Sequence, residues 1–164
     1  EAFGPRAAAV AAHYPLDQFG GSVVAAYSAA VTDSYFSCVG ERMAVGQAAV
    51  ATVYAYEFAD PRPPTPDALQ HLPFELGASH GLDLRYLFDI GGAPALTPAQ
   101  QRLSDQMIDY WTSFVGTGDP HAPGAPDWPA LHGADGPRMS FGADGPRVGT
   151  SFARDHQCAF WAAP

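Results

Sequence analysis

The segment Gly77–Gly81 places two residues that could do chemistry, Ser79 and His80, side by side. Its letters, GASHG, satisfy the pattern G-x-S-x-G, in which a strained turn presents a nucleophilic serine. An imidazole, by contrast, can take a proton from a hydroxyl and return it later in the reaction. Two interpretations follow: Ser79 is a nucleophile, or His80 is the working residue and the match is accidental.

The sequence before Ser79 disfavours the first interpretation. A nucleophilic serine of this kind needs a buried strand running into it and a helix leaving it. The preceding residues, PRPPTPDALQHLPFEL, contain too many prolines for a core strand. The histidines that follow, at positions 121, 132 and 156, lie in loop-like or terminal sequence. We therefore favour His80 over Ser79.

The elements that would position this histidine include two helical segments. Residues 21–51 are rich in alanine and valine and predict one or two helices with a break near Gly40. A further helix is predicted to begin at Thr97, where Gln100 completes a capping box, and to end at Gly116. Its apolar residues recur at helical spacing and predict a packing surface: Leu103, Met107, Tyr110, Trp111 and Phe114.

Extended structure is predicted on both sides of that helix. Residues 52–58, TVYAYEF, alternate and are β-branched or aromatic, which predicts a strand. Two copies of GADGPR, at 133–138 and 142–147, predict turns between short strands. The chain of 164 residues is long enough for one globular domain, 1–164, and too short for two.

Composition and charge argue against several classes of partner. The net charge is −9, and the eight basic residues are all arginines without a basic run, so nucleic acid is not expected as a partner. Apolar stretches such as 23–31 are shorter than about 18 residues, so no membrane span is expected. The histidines and cysteines form no ligand-like cluster, and neither a metal nor an organic cofactor is implied.

Two cysteines, Cys38 and Cys158, allow two interpretations. They could be buried thiols that pack as small apolar groups. Alternatively they could form a disulfide, which would place the protein in an oxidising compartment.

Several blocks of sequence share one resemblance. The block GASHGLDLRYLF resembles the histidine loop of the type B carboxylesterase and cholinesterase family. Four further blocks resemble that family's helix leading to a cysteine, the strand before the histidine loop, the late helix and the closing motif: TDSYFSC, VYAYEF, LSDQMIDYWTSFVGTGDP followed by PDWPAL, and HQCAFW. They occur in family order between residues 32 and 161.

The resemblance implies a fold and a set of site residues. The chain would be the C-terminal segment of an α/β-hydrolase fold: helices, late core strands, the histidine loop and a C-terminal hairpin. His80 would be the histidine of a catalytic triad, and Asp83 would support its loop. Cys38 and Cys158 would form a disulfide, as in many secreted members, so we expect a secreted protein.

The resemblance also implies what the rest of the enzyme supplies. The nucleophile elbow, the oxyanion-hole glycines and the triad acid belong to family segments that would precede Glu1. We therefore expect a carboxylic-ester hydrolase that works through an acyl-enzyme, completed by an N-terminal portion that carries the serine and the acid. The substrate would be a small-molecule ester beside an apolar wall of Leu76 and Leu82, and this chain alone would be inactive.

Without that N-terminal portion, the apolar stripe of the Thr97 helix is expected to lack its partner sheet. The chain opens EAFGPRAAAV, without an initiator methionine, and resembles a trimmed product. Two other functions stay open: a non-catalytic adhesion or scaffold member of the same superfamily, and a self-contained binding module.

Overall fold

The computed structural model describes residues 2–163. Its helices are Ala7–His13 (α1), Val23–Thr32 (α2), Cys38–Ala48 (α3), Leu84–Leu87 (α4), Pro98–Thr117 (α5), Phe152–Asp155 (α6) and Cys158–Ala162 (α7). Its strands are Tyr56–Ala59 (β1), Arg138–Gly142 (β2) and Gly145–Gly149 (β3). Single 3-10 turns occur at Gly4–Arg6, Leu16–Phe19 and Asp67–Leu69, and a π-helical turn, Asp33–Ser37, joins α2 to α3.

The three strands form one sheet in the order β1-β2-β3. β1 and β2 are parallel, with Phe58 opposite Phe141, whereas β2 and β3 form an antiparallel hairpin. The second GADGPR copy makes the hairpin turn, where Gly145 has a φ of +98° that favours glycine. The first copy leads into β2, and no strand precedes it directly in the described part of the chain, so the expected strand on that side is wrong.

The predicted strand is shorter than its sequence pattern. The ladder of β1 begins at Tyr56 rather than at residue 52. The residues before β1 still pair with β2 and with the loop that precedes it. The Val53 and Ala55 carbonyls accept hydrogen bonds from the amides of Leu131 (2.7 Å) and Met139 (3.0 Å). Trp128 Nε1 also donates to the Ala55 carbonyl at 3.2 Å, which fixes a loop against the strand.

The first helical region is interrupted earlier than predicted. Backbone bonding changes to the π-helical pattern at Asp33–Ser37, not near Gly40, and α3 continues through that glycine. A π turn inserts one extra residue into the helix, and such turns are frequent at functional sites. Residues 33–37, DSYFS, contain no glycine or proline that would mark this break in the sequence.

Helix α5 has the predicted start and a later end. The Thr97 side chain and the Gln100 backbone and side chain form the expected capping box. The helix ends at Thr117, where Gly118, not Gly116, adopts the left-handed conformation with φ +79° and caps it.

The main core lies between α5 and the sheet. Eight buried residues form it: Tyr86, Leu103, Met107, Tyr110, Ala122, Trp128, Met139 and Phe141. The expectation that the α5 stripe lacks a partner sheet is therefore wrong, since β2 and the loop bearing Trp128 cover most of it. At the far end of the stripe Phe114 remains 47% exposed.

A second, smaller core joins the two ends of the described chain. Val10, Tyr14 and Ala30 are buried there against Phe160 and Trp161 of α7. The expected disulfide is present: Cys38 and Cys158, 120 positions apart, are bonded with an S–S distance of 2.01 Å. The C-terminal segment is thus attached covalently to the start of α3.

Candidate functional site

The segment Leu76–Leu82, which we call the histidine loop, contains two glycines with left-handed backbone. Gly77 has a φ of +57° and Gly81 a φ of +83°. The loop is closed by a hydrogen bond from the Leu82 amide to the Ser79 carbonyl at 3.1 Å. The two glycines permit the tight path that brings His80 to the surface.

Ser79 does not occupy a nucleophile elbow. Residues 61–78, which lead into it, contain no strand and only the single turn Asp67–Leu69. The Ser79 hydroxyl donates a hydrogen bond to the carbonyl of Leu76 at 2.5 Å and so stabilises the turn of its own loop. The side chain therefore performs a local structural task.

His80 is exposed at the tip of the loop. Its ring stacks on Phe36 of the π turn, with ring centroids 6.1 Å apart and planes inclined by 28°. Within residues 2–163, no side chain forms a hydrogen bond with the imidazole. Phe36 thus limits one face of the ring and leaves its nitrogens available for a partner.

Asp83 is held by the sheet, not by the histidine. The Tyr56 hydroxyl donates to Asp83 Oδ2 at 3.2 Å, which connects β1 to the residues just after the histidine loop. Burial, and then the charge of Asp83, raise the pKa of Tyr56 to about 12, so the phenol keeps its proton at neutral pH. Asp83 forms no hydrogen bond with His80.

A groove of about 830 Å³ extends from His80 across the molecule. Its walls come from α2, the π turn, α3 and residues 53–58, together with Phe152 and His156 of the C-terminal segment. Four acidic or basic residues besides Asp83 and the histidine loop line it: Glu41, Glu57, Arg138 and His156.

His156 lies between two carboxylates in this groove, which the sequence did not predict. Its Nδ1 is 2.5 Å from Asp33 Oδ1 and its Nε2 is 3.0 Å from Glu57 Oε1. Asp33 also accepts a hydrogen bond from the Tyr14 hydroxyl at 2.8 Å. A usable signal existed, because the disulfide of Cys158 with Cys38 brings residue 156 close to residue 33.

Glu41 and Arg138 form a buried ion pair, also not predicted, in which each side chain is only 5% exposed. Burial raises the pKa of Glu41, although the adjacent Arg138 opposes this shift. Glu41 Oε1 has no hydrogen-bond partner within the described residues. The Arg138 guanidinium also lies 5.0 Å from the centre of the Phe152 ring.

Residues 2–163 hold no group of three or more histidine, cysteine or acidic side chains arranged to bind a metal ion. None of the helices in that range has the length and apolar character needed to cross a membrane.

Comparison with known proteins points to one family. The model of the carboxylesterase family matches residues 7–161. Carboxylesterase 5A of Canis lupus familiaris is 37% identical over 90 residues, covering 49% of this chain and 15% of that protein. Bile salt-activated lipase of Homo sapiens is 40% identical over 76 residues, covering 43% of this chain and 9% of the lipase.

A third relative, pyrethroid hydrolase Ces2e of Rattus norvegicus, is 36% identical over 90 residues, which cover 49% of this chain and 14% of the hydrolase. The aligned region thus spans 15% or less of the length of each of these relatives.

Proposed function

The chain belongs to the carboxylesterase family of serine hydrolases, and from this membership we propose that it forms the C-terminal part of an α/β-hydrolase domain in which His80 is the catalytic base. The observation that carries the proposal is the placement of His80. It lies exposed on a glycine-flanked loop at the rim of a large groove, and no described side chain hydrogen-bonds its imidazole.

The proposed reaction uses one imidazole nitrogen twice. His80 removes the proton from a serine hydroxyl while the serine oxygen attacks the ester carbonyl carbon. The resulting imidazolium gives that proton to the leaving alkoxide oxygen, and an acyl-enzyme remains. A water molecule then repeats the sequence, so that the acid is released and the serine is restored.

The serine and the triad acid would come from residues outside 1–164. Ser79 is occupied within its own turn, and Asp83 is bonded to Tyr56 and not to His80. The edge of β1 opposite β2 has no partner strand in residues 2–163, and it lies beside the groove. An unpaired edge accepts a further strand readily, so this edge suits the portion that carries the nucleophile.

The proposed substrate class is a carboxylic ester. The expected wall of Leu76 and Leu82 is not part of the groove, whose apolar lining beside His80 includes Phe36. Leu82 is buried beneath the loop, and Leu76 is half-buried beside it. The disulfide between Cys38 and Cys158 suits an oxidising environment, and we propose that the protein is secreted.

A fluorophosphonate probe tests this function in the full-length protein. The probe should label one serine outside residues 1–164, located by mass spectrometry of peptides, and His80→Gln should slow the labelling strongly because the serine loses its base. His121→Gln, a substitution at an exposed histidine, is the control and should label normally. Labelling of Ser79, or no labelling with no ester hydrolysis, would contradict the proposal; the second result favours a non-catalytic scaffold.

A further inference from the structure

His156 is bonded at both ring nitrogens to acidic side chains from two different elements. Asp33 belongs to the π turn and Glu57 to β1. Two carboxylates accept and cannot donate, so both ring nitrogens must carry a hydrogen for both bonds to form. The arrangement therefore requires the imidazolium, and it joins the turn, the strand and the C-terminal segment at one point.

The surroundings of His156 favour this charged form. Burial would lower its pKa, but the hydrogen bonds to Asp33 and Glu57 and their charges outweigh burial and raise the pKa of His156 to about 9. Other ionisable groups near His156 are Tyr14, which bonds Asp33, and its own neighbours Arg154 and Asp155. Tyr56 and the ion pair of Glu41 and Arg138 line the same groove.

Asp33, the first carboxylate, is connected to the histidine loop through the π turn. Asp33 begins this turn, and Phe36 within it stacks on His80. Cys38 follows the turn directly and is bonded to Cys158, two residues after His156. The C-terminal segment thus fixes both ends of the turn that presents Phe36.

Glu57, the second carboxylate, is connected to the histidine loop through β1. Glu57 is adjacent to Tyr56, whose hydroxyl holds Asp83 just after the histidine loop. Glu57 itself is only partly buried, and its bond to His156 anchors this part of the strand to the C-terminal segment. A substitution of His156 therefore affects both the π turn and β1, the two elements that hold the histidine loop.

We propose that His156 is a positioning residue for the reaction of His80: its imidazolium holds the π turn and β1 in the arrangement in which Phe36 and Asp83 orient the histidine loop. This inference rests on the proposed function. It predicts that deprotonation of His156 releases one carboxylate and lowers turnover without any change in the reacting groups.

The experiment measures kcat and KM of the full-length protein for p-nitrophenyl acetate between about pH 7 and pH 10, corrected for spontaneous hydrolysis. In the wild-type protein kcat should fall on the alkaline side with an apparent pKa near 9. His156→Gln, which can donate to only one carboxylate, should lower kcat at about pH 7 by about tenfold, with KM nearly unchanged, and remove the alkaline decline. His156→Arg keeps the charge and several donors, and should restore kcat without the decline.

His121→Gln is the matched control and should keep both the rate and the alkaline decline. The inference is overturned if His156→Gln retains wild-type kcat, if it keeps the alkaline decline, or if neither variant folds as judged by circular dichroism, which would make the residue structural only.

His80→Ala separates the two proposals. If His80→Ala remains active, the proposed function fails and this inference fails with it; if His80→Ala is inactive, the His156 variants decide the inference alone.

Discussion

Tyr86 and Asp60, 26 positions apart, hydrogen-bond to each other in the core and close the segment that carries His80. The Tyr86 hydroxyl donates to Asp60 Oδ2 at 2.5 Å, and the two residues are 0% and 2% exposed. Asp60 also accepts from the Arg62 amide (2.9 Å) and from Gln100 Nε2 (3.0 Å). Asp60 follows β1 directly and Tyr86 lies in α4, so the intervening loop is anchored at both ends.

Removal of this hydroxyl should destabilise the fold. Tyr86→Phe leaves a buried carboxylate without one donor, and we expect the free energy of unfolding of the full-length protein to fall by about 1–3 kcal/mol. Tyr35→Phe is the control, because Tyr35 is 63% exposed. Urea unfolding measures both variants. Equal stability of Tyr86→Phe and the control would show that the hydroxyl contributes nothing.

Asp60 should also contribute to stability in a pH-dependent way. Burial would raise its pKa, but the hydrogen bonds from Tyr86, the Arg62 amide and Gln100 lower the pKa of Asp60 below its ordinary value. The carboxylate therefore stabilises the fold above the unfolded pKa of about 3.9, and this contribution is lost as the pH falls through the lower folded value.

The corresponding experiment follows the melting temperature of Asp60→Asn from about pH 6 to pH 3. The variant should be less stable at about pH 6, and its deficit should shrink as the pH falls, because the wild-type carboxylate becomes protonated. Asp109→Asn, at an exposed position, serves as the control. A deficit of constant size across this range would contradict the assignment.

The disulfide should supply a large share of the stability. It closes a loop of 120 positions, for which the chain-entropy model gives roughly 4–5 kcal/mol as an upper value. Cys38→Ala combined with Cys158→Ala should therefore lower the urea midpoint substantially, and the unreduced, denatured wild-type protein should show neither of these two thiols as free. Titration of both thiols as free groups would contradict the pairing and weaken the proposal that the protein is secreted.

Removal of one partner of the Glu41–Arg138 ion pair should lower the free energy of unfolding strongly, whereas replacement of both partners by apolar residues should lower it little. Arg138→Met leaves the buried Glu41 carboxylate unpaired, and we expect a loss of about 3–5 kcal/mol in the free energy of unfolding. The double variant Glu41→Leu with Arg138→Met should recover much of that loss, because no buried charge remains.

Arg147→Met is the control for this pair. Arg147 bonds Asp144 at 2.9 Å, but these side chains are 69% and 79% exposed, so their pair should contribute below about 1 kcal/mol. If Arg138→Met is as mild as Arg147→Met, burial does not govern the strength of the two pairs.

The features that the sequence predicted correctly have a signal in a short residue pattern or in the resemblance of sequence blocks to a family. The capping box of Thr97 and Gln100 follows from residue types three positions apart, and the disulfide follows from the resemblance of two cysteine-bearing blocks. The membership in the carboxylesterase family was predicted in the same way. The role of His80 stays a prediction.

The features that the sequence did not predict depend on distant partners. His156 meets Glu57 across 99 positions, and Arg138 meets Glu41 across 97. No short motif encodes contacts between residues so far apart in the sequence. The end of α5 was misplaced for a local reason: Gly116 and Gly118 are both available, and only tertiary structure selects the one that turns left-handed.

Turnover of p-nitrophenyl acetate by the full-length protein tests most directly whether His80 is the catalytic base. His80→Ala should lower kcat by about a thousandfold, because the serine loses its proton acceptor, while circular dichroism shows an intact fold. Ser79→Ala removes only a hydroxyl that bonds the Leu76 carbonyl and should reduce kcat slightly. Near-normal turnover by His80→Ala together with complete loss in Ser79→Ala would contradict the assignment and make Ser79 the nucleophile.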